Sequence, residues 1–154
     1  MKQDILVPFD GSANATEALR VAIDMAKAFN EKIVLLNVQP SYETPHTKRF
    51  FSQSQIDDYR NQMADEAIQP GDDILKQSGV GFMTKIRVGD PREQICKEAR
   101  ADNAEGAACK DLGMRLIVMG SRGLNAVLGS VLGSVSMGVL HNAPCPVVIV
   151  PYSC

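Results

Sequence analysis

Residues 119–138 read MGSRGLNAVLGSVLGSVSMG, glycines and small hydroxyl side chains around one charge, Arg122. Glycine takes positive φ without strain and lets backbone N–H groups approach a ligand closely. The order Gly120-x2-Gly123-x9-Gly133-Ser134 starts where an apolar run over 115–119 ends, and it leads into a segment able to open a helix. The chemistry suited to that order is the grip of a phosphate chain. Gly120 and Gly123 would turn amides toward anionic oxygens. The first turn, Gly133, Ser134, Val135 and Ser136, would offer free N–H groups and the positive end of a helix dipole. Ser134 and Ser136 would add hydroxyl donors, and Arg122 the charge.

Other readings of the stretch are weaker. GxxxxGK[ST] requires a lysine, and none follows Arg115; GxGxxG requires three glycines after the first strand, where only Gly11 stands. A membrane span takes about 20 predominantly apolar residues. Residues 124–140 are uncharged and include Gly129-xxx-Gly133, a helix-pairing spacing, but serines and Asn125 dilute them. Taken singly, each glycine reads as a turn or a tight helix contact. The ordered set at the end of a buried strand is the specific signal.

The elements that would position this loop alternate along the chain. Residues 4–10 form an apolar run closed by a turn signal, hence a buried strand with Pro8 at its carboxyl end. Ser12 caps a helix whose Ala15, Leu19, Ala22, Ile23 and Ala26 share one stripe. A second strand covers 32–38. Residues 39–52, with Pro40 and Pro45, read as a loop long enough to act as a lid. A polar helix follows over 53–78, with a break or kink expected at Pro70-Gly71. Residues 82–88 make a third strand, and Asp90, Pro91 and Glu93 start a helix well. That helix frays across 101–106, where residues 101–110 read as a small insertion. Fourth and fifth strands lie at 115–119 and 146–151. The expected fold is α/β, one domain over 1–154: an open parallel five-stranded sheet with helices on both faces, Rossmann-like. Ligands of such sheets bind beyond the strands' carboxyl ends, where the strand order reverses. Three segments then converge: residues 8–12, residues 37–39, and the glycine-rich stretch.

Composition narrows the classes of function. With 45% apolar, 22% charged and 5% aromatic residues and a net charge of −2, the chain has an aliphatic core and lacks a nucleic-acid binder's basic excess. The apolar run near the start, residues 5–9, is too short for an export signal, so a cytoplasmic protein is expected. Cys96, Cys109, Cys145 and Cys154 show no CxxC and no paired histidines, so they read as small hydrophobes, with Cys154 exposed at the end.

The whole chain resembles the universal stress protein family, a nucleotide-binding α/β group akin to the adenine nucleotide alpha hydrolases. ILVPFDGS, VGDP at 88–91, LIVMGSRG at 116–123, LGSVS at 132–136 and HNAPCPVVIV at 141–150 carry the resemblance. The glycine spacing is that of the family's ATP-binding branch. The resemblance implies ATP, or another adenine nucleotide, as ligand. It puts adenine beside Pro8, Asp10 and Val38, and ribose and phosphates against Met119, Gly120, Arg122, Gly123, Gly133, Ser134, Val135 and Ser136. It also implies a homodimer formed through strand 147–150, an edge that antiparallel pairing with a twin would cover. The segment 101–110 and Pro70-Gly71 depart from the family's pattern.

Binding ATP is not turning it over. Asp10 suits recognition of the base or ribose better than attack on a phosphate, and no catalytic residue is assigned. No acidic side chain follows Met114, so any Mg²⁺ would be held mainly by phosphate oxygens and water. His46 and His141 pair with no nucleophile, and the HxGH element of related nucleotidyl transferases is absent. Three readings stay open. The leading one is a nucleotide-responsive dimer of the stress response, with protein partners unspecified and neither nucleic acid nor membrane among them. The others are a slow ATPase or phosphotransfer protein using the same pocket, and a nucleotide-independent dimeric interaction protein.

Overall fold

The computed structural model describes residues 3–100, 113–122 and 132–152. Five runs rich in branched aliphatic residues form its sheet: β1 (Gln3–Pro8), β2 (Ile33–Gln39), β3 (Phe82–Val88), β4 (Met114–Gly120) and β5 (Val147–Val150). All pairings are parallel, in the order β3-β2-β1-β4-β5. Ile5 registers with Ile33 on one side and Leu116 on the other, and Ile117 registers with Val147. The chain winds outward from β1 to β3, then returns to lay β4 and β5 on the far side of β1. The carboxyl ends of β1 and β4 therefore diverge into a crevice. Pro8, which has no amide to donate, is the last residue of β1, as its chemistry requires.

Side chains alternate between two cores because a strand's period is two. Ile5, Val7, Ile33, Leu35, Leu116 and Val118 face α1 (Ala13–Phe29) and α3 (Gln53–Ser78). Leu6, Val34, Leu36, Ile117 and Met119 face α4 (Pro91–Arg100) and α5 (Ser134–Asn142). The expected stripe of α1 is buried throughout, and Ser12 Oγ accepts from the Ala15 amide. Asp90 Oδ1 accepts from the Arg92 amide at the start of α4.

Two expectations are corrected. The loop expected over 39–52 is shorter: β2 extends to Gln39, and α2 (Pro45–Phe50) forms with a reciprocal Thr44–Thr47 cap. Arg60 of α3 ties this connection down by donating to the Ser41 carbonyl at 2.8 Å. The break expected at Pro70-Gly71 is absent, since α3 runs through both residues. Pro70 lies on the exposed side, where the carbonyl one turn back can tilt toward water. Gly71 is buried against Phe9 and Leu35, so tertiary packing holds the helix together across the proline. The segment 101–110 lies outside the described residues.

Candidate functional site

The crevice at the carboxyl ends of β1, β2 and β4 opens into a cavity of about 800 Å³. Pro8, Phe9 and Asp10 enter it from the end of β1, and Asn37, Val38 and Gln39 from the end of β2. Tyr42 and, from α3, Met63 and Ala67 close that side; Pro91 and Ile95 of α4 contribute a wall. Opposite them stand Met119, Gly120 and Arg122 at the end of β4, then Gly133, Ser134, Val135 and Ser136 at the start of α5. The cavity thus brings together ten of the eleven site residues expected from sequence. The eleventh, Gly123, lies outside the described residues.

The geometry corrects the expected roles of the glycines and amides. Gly120 has no positive φ; it is the last residue of β4, paired with Val150. Glycine is needed there because a Cβ would stand 2.7 Å from the Asn14 carboxamide. Three amides around the expected cradle are spent inside the protein. Ser121 N donates to the Val150 carbonyl at 2.9 Å, Gly133 N to the Ser121 carbonyl at 2.7 Å, and Arg122 N to Asn14 Oδ1 at 2.9 Å. Ser136 is also committed: it is buried, and its hydroxyl donates to the Ser121 carbonyl at 2.9 Å.

What remains is the first turn of α5. Gly133 caps this helix without any side-chain hydrogen bond, leaving the amides of Ser134, Val135 and Ser136 to the cavity. The Ser134 side chain is exposed there. Arg122 completes the group; among the described residues its buried Nε meets no acceptor. An uncapped helix start beside a guanidinium whose Nε has no acceptor gives this end of the cavity a positive electrostatic character.

The opposite end of the cavity is wired differently. Asn37 Nδ2 donates to the Phe9 carbonyl at 2.8 Å, and Gln39 Nε2 donates to Asn37 Oδ1 at 2.7 Å. The Tyr42 hydroxyl donates to Gln39 Oε1 at 3.3 Å, and its ring meets Tyr59 edge-on with centroids 5.3 Å apart. Burial, reinforced by Tyr59, pushes the Tyr42 phenol above its ordinary value. On the rim, the Arg92 guanidinium holds the Asp90 carboxyl down at about 2.

The sequence reading assigned no role to Asn14 or Tyr42. Asn14 is buried, and its Nδ2 donates to the Val150 carbonyl at 3.1 Å while its Oδ1 takes the Arg122 amide. One side chain thus clamps α1, the end of β4 and β5 together. The available signal was a polar residue in line with Ala18 and Ala22 on an apolar stripe. Nothing local marks Tyr42, which reaches the cavity through a left-handed backbone at φ 56°.

The profile of the universal stress protein family matches residues 1–106 and 107–151. The chain belongs to that family. A Staphylococcus saprophyticus relative that carries the family's name is 30% identical over 156 residues, spanning 96% of this chain and 83% of the relative. The universal stress protein UspA from Lactobacillus plantarum superposes with a TM-score of 0.77 at 26% identity, covering 96% of this chain and 97% of that one. Two others share the fold at 22% identity. A universal stress protein in complex with cAMP has a TM-score of 0.71 and covers 98% of each chain. An Arabidopsis thaliana family protein with AMP bound has a TM-score of 0.64, covering 99% of this chain and 93% of that one.

Proposed function

We propose that this universal stress protein binds an adenine nucleotide, ATP included, and acts as a nucleotide-responsive homodimer rather than as an efficient enzyme. The observation that carries the reading is the uncapped start of α5 beside Arg122, both lining a cavity at the strand-order reversal. At about 800 Å³ the cavity lies within the usual range for small-molecule sites. The nucleotides bound by the two 22%-identical fold relatives are of the class this site suits.

In this reading adenine lies beside Pro8, Asp10 and Val38, and the ribose against Met119 and Gly120. The phosphates meet Arg122, Gly123 and the first turn of α5. Among the described residues no three His, Cys, Asp or Glu side chains cluster as a metal site. Magnesium arriving with the nucleotide would keep phosphate oxygens and water as its main ligands. The dimer forms through β5, whose four residues are all apolar and only half-buried in the single chain.

Mass spectrometry of material released from the purified protein, followed by calorimetric titration with ATP and AMP, tests the reading. We expect an adenine nucleotide to be released and rebound. In Gly133→Val the side chain would press on the Ser121 carbonyl, 3.3 Å from a Cβ at that position, and binding should weaken at least tenfold. A protein that carries no nucleotide and binds none would refute the reading.

A further inference from the structure

We propose that Arg92 is a second phosphate-binding cation, which makes the site discriminate by the length of the phosphate chain; this rests on the nucleotide reading above. The need for such a group is electrostatic. Among the described residues, Asp10 and Arg122 are the charged ones that line the cavity, so they supply one cation against one carboxylate. One arginine and a helix dipole suffice for a monophosphate, but a triphosphate brings further negative charge into the same space.

Arg92 follows Pro91, itself part of the cavity wall. Its aliphatic stem lies across α5 at Gly138, where any Cβ would collide with Arg92 Cβ, Cγ and Cδ. Gly138 stands one turn, about 6 Å, beyond Ser134 along the helix. Helical side chains lean toward the amino terminus, so the patch left bare by Gly138, and filled by Arg92, extends toward the first turn of α5. The glycine thereby brings an arginine from α4 alongside the anion site of α5.

Its charge is held at the surface meanwhile. Arg92 Nε and an NH2 group donate to Asp90 at 3.1 and 2.8 Å, with the side chains about half exposed. An exposed pair of this kind is weak, so its arginine can exchange Asp90 for another anion. Neighbouring cations are already engaged: Lys85 and Arg87 lie on the buried Glu98, and Arg100 donates to the Asn142 carbonyl. Rotation of the Arg92 head from Asp90 toward the cavity would place its planar donors on the distal phosphates, for which a guanidinium is better shaped than an ammonium.

Calorimetric titration of ATP and AMP into the wild type, Arg92→Met, Arg92→Lys and Asp90→Asn tests this. Methionine keeps an apolar stem over Gly138 and removes the charge; asparagine keeps the helix cap and frees the arginine. Arg92→Met should weaken ATP roughly tenfold and AMP less than twofold. Arg92→Lys should recover part of the loss, and Asp90→Asn should tighten ATP selectively. Equal effects on both nucleotides, or none, overturn the proposal while leaving the nucleotide reading intact. A wild type that binds neither nucleotide overturns both. Circular dichroism melts of each variant separate lost folding from lost affinity.

Discussion

Asn14 and Gly120 are fitted to each other. The carboxamide occupies the space a Cβ on Gly120 would take, and its two ends satisfy the Val150 carbonyl and the Arg122 amide. Replacing Asn14 by alanine takes the acceptor from the part-buried Arg122 amide, while the Val150 carbonyl keeps the Ser121 amide, at about 1 kcal/mol. Gly120→Ala should cost a similar amount by overpacking. The two losses should not add: with Asn14 already truncated, the new methyl has room. Urea denaturation of both single variants and the double variant reads this coupling, and strictly additive losses would show that the two positions do not touch.

At the level of elements, α3 sets two neighbouring residues against each other. Pro70 is exposed, lacks the helical amide and crowds the preceding turn, so Pro70→Ala should stabilise the protein by about 1 kcal/mol. Gly71→Ala should do the reverse. The helix-propensity gain of about 1 kcal/mol is outweighed by a methyl 3.0 Å from Leu35 Cδ2 and Phe9 Cε1. Thermal melts give the two signs directly. The edge strand β3 is held to α4 by another device. Glu98 is buried between Lys85 Nζ and Arg87 Nε, each 2.6 Å away. Burial alone would raise its carboxyl, but the two cations prevail and hold it below the ordinary 4.5. A depressed carboxyl contributes stability that is complete above its unfolded value and is lost as pH falls through the folded one. Glu98→Gln should therefore cost about 1–2 kcal/mol at neutral pH, because Lys85 and Arg87 are partly exposed and can turn to water. That difference from wild type should shrink steadily below about pH 4.5. A difference constant from pH 7 to pH 3 would mean the carboxylate's charge plays no part.

Over the whole molecule, β5 is the exposed edge nearest the proposed site. The carbonyls of Pro146 and Val150 accept from β4, so by strand alternation Val147 and Ile149 turn their backbone groups outward. Ile149→Pro removes an outward amide and spares the inner ladder. If the proposed dimer forms through this edge, light scattering of the variant should show a monomer with the circular dichroism of the wild type. A persisting dimer would place the interface elsewhere. Val150 also links this edge to the cavity, since its carbonyl receives both the Ser121 amide and the Asn14 carboxamide.

The order of strands and helices was legible because it is local: apolar runs of period two, a stripe of period 3.6, and caps at Ser12 and Asp90 declare themselves within a few residues. The parallel sheet followed, since strands separated by helices can be covered on both faces in few other ways. The convergence of residues 8–10, 37–39, 119–120 and 133–136 on one crevice was legible for the same reason. What sequence could not assign is which donors stay free. Whether an amide faces a ligand or a neighbouring carbonyl depends on residues far along the chain: Asn14 takes the amide of Arg122, Val150 that of Ser121, and Ser121 that of Gly133. The same holds for the unbroken α3, where contacts with Phe9 and Leu35 override the local rule at Pro70. Local propensity and periodicity are set by neighbours in sequence and fixed the fold; hydrogen-bond partners and close packing are set by neighbours in space, and they decided the site.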